Sequence, residues 1–97
     1  MYDMNLTTSH FPAQNDAEIR DITVGGLLRE VAATHPDALA MVDVAESGDC
    51  GQSWTYGELL VQAERLAKAL ATRFEAGERV VVWALNIPQW IFMEYAC

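Results

Sequence analysis

Val80-Val81-Val82-Trp83-Ala84-Leu85-Asn86-Ile87-Pro88-Gln89-Trp90-Ile91-Phe92-Met93-Glu94-Tyr95-Ala96-Cys97 is the stretch whose reading decides the fold. Its first six residues are apolar without a break. A strand with one wet face alternates between apolar and polar residues, and this run does not, so it predicts a buried strand of the parallel kind, covered on both faces. Asn86 then reads as the cap of a final helix that begins at Ile87 and Pro88, where a missing proline N–H costs nothing. Gln89 falls at the position of a capping box. Trp90, Ile91, Phe92, Met93, Tyr95 and Ala96 make that helix apolar around most of its circumference. No glycine, basic last turn or proline stops it before Cys97. A helix of this kind belongs inside a larger domain, so the pattern predicts a truncated final helix. The stretch is nearly long enough to cross a bilayer, but Asn86, Pro88, Gln89 and Glu94 interrupt it at turn and cap positions, and no transmembrane segment is expected.

Upstream lies the clearest helical pattern, in which Leu59, Leu60, Ala63, Leu66, Ala67, Leu70 and Phe74 share one face of residues 56–74. Thr55 and Glu58 fit a capping box at its start, Gly77 supplies a left-handed exit, and Glu64 with Lys68 forms an i,i+4 pair on the wet side. Before it, residues 39–44 and 52–55 flank the Ser47-Gly48-Asp49 and Gly51 turn cluster and predict a β-hairpin. The first helix starts at the N-cap Thr23 and places Val24, Leu27, Leu28 and Val31 on one stripe. It ends at His35, because a residue before proline is pushed out of the α region. Residues 1–21 carry no periodicity and read as an irregular lead, mobile or lying as a strap over a larger body.

Composition narrows the partners. The chain has 97 residues, six Lys and Arg against 14 Asp and Glu, and a net charge of -8. Without a basic cluster there is no counterion release to drive nucleic-acid binding, and anionic membranes repel the chain. With 52% hydrophobic and 21% charged residues it is expected to fold, given cover for its apolar faces. The lead has neither a basic n-region nor an apolar h-region, which predicts a cytoplasmic address. Cys50 and Cys97 are expected as free thiols without a chemical role.

The constellations that could carry chemistry are weak. His10, His35, Cys50 and Cys97 contain no close ligand pair, so no metal site is assigned. Ser9, Ser47 and Ser53 sit in no nucleophile elbow. Gly25 and Gly26 do not follow a strand and lack the remaining glycines of a nucleotide fingerprint; close packing of Leu27 and Leu28 explains them better. Asn86-Ile87-Pro88 stands where an open α/β sheet would bind a ligand, but offers a cap and not a phosphate cradle. Asp43, Glu46, Asp49, Glu58, Glu64 and Glu94 are scattered, as a solvated surface requires. Trp54, Trp83 and Trp90 read as core before pocket lining. No catalytic, cofactor-binding or metal residue is assigned anywhere in the chain.

A succession of short segments nevertheless resembles a known family. Thr23-Val24-Gly25-Gly26-Leu27-Leu28, Ala33 with Pro36-Asp37-Ala38-Leu39-Ala40, Trp54-Thr55-Tyr56-Gly57-Glu58-Leu59, Gly77-Glu78-Arg79-Val80 and Asn86-Ile87-Pro88-Gln89-Trp90 are similar to the start of AMP-forming acyl-CoA synthetases. These belong to the adenylate-forming superfamily, shared with adenylation domains and beetle luciferases. The resemblance runs from about Ile22 to Cys97. Glu78 stands where the family usually has aspartate, and Gln89 where glutamate is common. The family's Ser/Thr/Gly-rich phosphate loop, its adenine and ribose contacts and the lysine of its C-terminal domain have no counterpart here.

The resemblance implies a parent enzyme that activates a carboxylic acid, fatty acids included, with ATP and Mg²⁺ and passes the acyl group to coenzyme A. This segment would be structural and inactive alone, its partner the remainder of the synthetase domain downstream of Cys97. The expected fold is an N-terminal fragment of a larger α/β domain: residues 1–21 an irregular lead, residues 22–97 a partial subdomain. It comprises a leading helix, a β-hairpin, a long amphipathic helix, a buried parallel strand and a truncated final helix. The crossover between strands 39–44 and 80–85 is expected to be right-handed. Two other readings compete: a self-sufficient α/β interaction module that binds a protein through its apolar last helix, and, more weakly, a nucleotide-binding Rossmann half.

Overall fold

A computed structural model describes residues 7, 12–13 and 15–97. Residues 15–23 form neither helix nor strand. Five elements follow: α1 (Val24–Thr34), β1 (Leu39–Val44), β2 (Cys50–Thr55), α2 (Tyr56–Leu70) and α3 (Pro88–Ala96).

Helix α1 starts where the sequence places it. The Thr23 hydroxyl accepts the Gly26 N–H at 3.0 Å, and the chain leaves the helix at His35, ahead of Pro36. β1 and β2 form the antiparallel hairpin, with Met41 opposite Trp54 and Val42 opposite Ser53. Gly48, with φ 85°, turns the chain between them.

The start of α2 shows why Thr55-Tyr56-Gly57-Glu58 folds as it does. A helix leaves its first N–H groups without internal partners. Here the Thr55 N–H donates to Glu58 Oε2 at 2.9 Å and the Glu58 N–H to Thr55 Oγ1 at 3.2 Å, the reciprocal capping box. The Tyr56 N–H donates to the Ala38 carbonyl at 3.0 Å and the Gly57 N–H to the Pro36 carbonyl at 2.9 Å. The second bond favours glycine, because a Cβ at residue 57 would lie a tight 3.1 Å from that carbonyl oxygen. Helix α2 is thereby fastened to the chain entering β1.

Helix α2 ends earlier than its apolar spacing predicts. The Arg73 N–H donates to the Leu70 carbonyl three residues back, and the Thr72 hydroxyl takes the Ala69 carbonyl at 2.7 Å. Tightened bonds and a side chain competing for a helix carbonyl both terminate α-structure. Phe74 therefore lies beyond the helix, 41% exposed. Gly77 does adopt a positive φ of 89°, but within a separate turn in which the Glu78 N–H reaches the Glu75 carbonyl. Glu64 binds Arg29 of α1 at 3.2 Å, 35 residues away, in place of the expected local pair with Lys68.

The core is small. Leu28, Leu59 and Ala63 are buried together, with Tyr56, Leu60, Ile91, Phe92 and Tyr95 packed around them. Burying a leucine side chain contributes about 1.5–3 kcal/mol, and Trp54 adds an edge-on contact to Phe92 at 5.5 Å that ties the hairpin to α3.

The valine-rich run departs from expectation. The sheet has two strands only, and residues 80–85 pair with neither; among the described residues no backbone hydrogen bond reaches them. Among the described residues there is no parallel ladder and no crossover. Val80 and Val82 are half-buried and line a groove with Trp90 and Met93, while Val81, Trp83 and Leu85 are 86%, 98% and 82% exposed. A strand covered on both faces needs a neighbouring strand on at least one edge and a layer over its open face. Neither is supplied by the described residues.

Asn86 does not cap α3. Ile87 occupies that position with φ −123° and ψ 157°, and no side chain bonds the first turn. Proline at the first helical position forces its predecessor into extended backbone, so the cap position falls on Ile87.

Candidate functional site

Two concavities merit chemical scrutiny. A groove of about 430 Å³ runs along the seam of α1, α2 and the end of α3, floored by Leu28, Leu60 and Ala63. Its charged residues are the Arg29–Glu64 pair and Glu94. Both partners of that pair are well exposed, so it contributes at most about 1 kcal/mol and leaves no charge uncompensated for a ligand. Sequence reading missed this pair, since no local spacing signals a contact between residues so far apart.

The second concavity, of about 350 Å³, lies where β1 faces the start of α3, between residues 41–44 and 86–91. Ligands of open α/β sheets sit at such a strand-to-helix junction. Here Pro88 has no N–H to offer, Asn86 makes no cap bond, and Ile87, Pro88 and Ile91 line an apolar wall.

Anion binding at a helix start requires free N–H groups converging on one point. In α1 the Gly26 N–H is held by Thr23, and an irregular segment precedes the helix. In α2 all four donors from Thr55 to Glu58 already have partners. The strand-to-helix turn at residues 55–56 is therefore closed to phosphate.

The remaining residues weighed from sequence are kept apart. His35 ends α1, Cys50 opens β2 and Cys97 follows α3, both thiols exposed. Among the described residues no group of three His, Cys, Asp or Glu side chains is placed to hold a metal ion. His10 and Ser9 lie outside the described residues. Among the carboxylates, Asp49 accepts the Ser47 hydroxyl, Glu58 completes the expected cap, and Glu30 binds Arg20. Of the tryptophans only Trp54 is core; Trp90 is 40% exposed and Trp83 wholly so, because the run that carries Trp83 lacks its cover. No described helix is long and apolar enough to cross a membrane.

The described geometry thus offers surfaces for packing and no assembled reaction centre. Residues 28–97 match the family described as AMP-binding enzyme. The chain belongs to that family. Over 92 residues it is 30% identical to a protein named medium-chain acyl-CoA ligase ACSF2, mitochondrial, of Danio rerio, an alignment that covers 94% of the chain and 14% of that relative. Over 81 residues it is 31% identical to a putative acyl-CoA synthetase, YngI, of Bacillus subtilis (strain 168), covering 82% of the chain and 14% of the relative. No solved structure matches the chain. The resemblance drawn from the succession of short motifs is borne out: this AMP-binding family chain corresponds to an N-terminal segment of an AMP-forming acyl-CoA synthetase. It spans 14% of the length of the curated relatives it matches.

Proposed function

We propose that this chain is the N-terminal structural part of an ATP-dependent carboxylic acid:CoA ligase that works through an acyl-adenylate, with fatty acids as the substrate class. The observation that carries the reading is the uncovered run at residues 80–85. A family segment that matches acyl-CoA ligases over a small share of their length presents an unpaired apolar run, which the rest of such a domain would cover.

The parent would use ATP, Mg²⁺ and coenzyme A. The described residues do not fit any of them: the donors at the start of α2 are all taken, the carboxylates are dispersed, and the grooves have apolar floors. No catalytic step is assigned to this segment. Its own residues act mechanically. The capping box and the Pro36 and Ala38 carbonyls fix α2 to the hairpin, Leu28 and Leu59 bind α1 to α2, and Phe92 against Trp54 sets the position of α3.

The test is an ATP-dependent pyrophosphate-release assay on the 97-residue chain with fatty acids and CoA. The expected result is background turnover. Activity above background overturns the structural role. The competing interaction module requires a folded unit with its apolar surface satisfied. It predicts a steep cooperative urea transition, whereas the ligase segment gives a shallow one and binds apolar dyes.

A further inference from the structure

We draw no further inference here: the strongest candidate, the apolar-floored groove along the seam of α1, α2 and the end of α3, is an unpartnered face for which nothing in the structure shows what covers it.

Discussion

Replacing Thr55 by alanine tests whether the capping box holds α2 in place. The variant removes the hydroxyl that accepts the Glu58 N–H at 3.2 Å, a solvent-exposed bond. Water can then reach the freed donor, so the loss is the net worth of a cap, about 1 kcal/mol, and not the larger penalty of a dry orphan. Glu58→Ala removes the acceptor of the Thr55 N–H and also a negative charge at the positive end of the helix, for about 1–1.5 kcal/mol. The two bonds are reciprocal, so the double variant loses about 0.5 kcal/mol less than the sum of the singles. For a chain with so few buried side chains the urea slope is near the lower limit, about 1 kcal/mol per M. Thr55→Ala then lowers the midpoint followed at 222 nm by about 1 M. A shift below roughly 0.2 M, or strictly additive losses in the double variant, refutes the claim that the box acts as one device.

Two further outcomes follow from burial and exposure. Leu59→Ala, at a side chain 4% exposed, costs about 2–5 kcal/mol and abolishes the urea baseline of the folded chain, whereas Val61→Ala two residues on, 62% exposed, changes stability by less than about 0.5 kcal/mol. Equal effects would show that the core lies elsewhere. Arg29→Met, which breaks the exposed pair with Glu64, costs under about 1 kcal/mol at low ionic strength and nothing measurable in 1 M salt, checked by the same titration.

Local chemistry was legible in the sequence, and long-range pairing was not. Thr23, Thr55 and Glu58 act within one turn of their partners, so residue type and spacing suffice, and the hairpin is announced by its turn residues. The misreadings share a different origin. Glu64 pairs with Arg29 because α1 and α2 pack together, a contact that no i,i+4 rule contains. At the end of α2 the backbone tightens and the Thr72 hydroxyl donates to the Ala69 carbonyl, although the apolar periodicity continues to Phe74. Asn86 lost the cap to Ile87 through the conformational demand of Pro88. The run at residues 80–85 carries the composition of a doubly covered strand, but composition states what a segment needs and not whether it is supplied. The empty assignment of catalytic residues rested on missing motifs, whereas the fastening of α2 through Gly57 to Pro36 emerges only in three dimensions.

That fastening has a kinetic consequence. The bonds from Tyr56 and Gly57 to the Ala38 and Pro36 carbonyls, the hairpin ladder and α2 itself all fall within residues 36–70. Such short-range closures carry little entropic penalty. The hairpin and α2 are therefore expected to close first, before α1 packs against α2 and α3 docks on both.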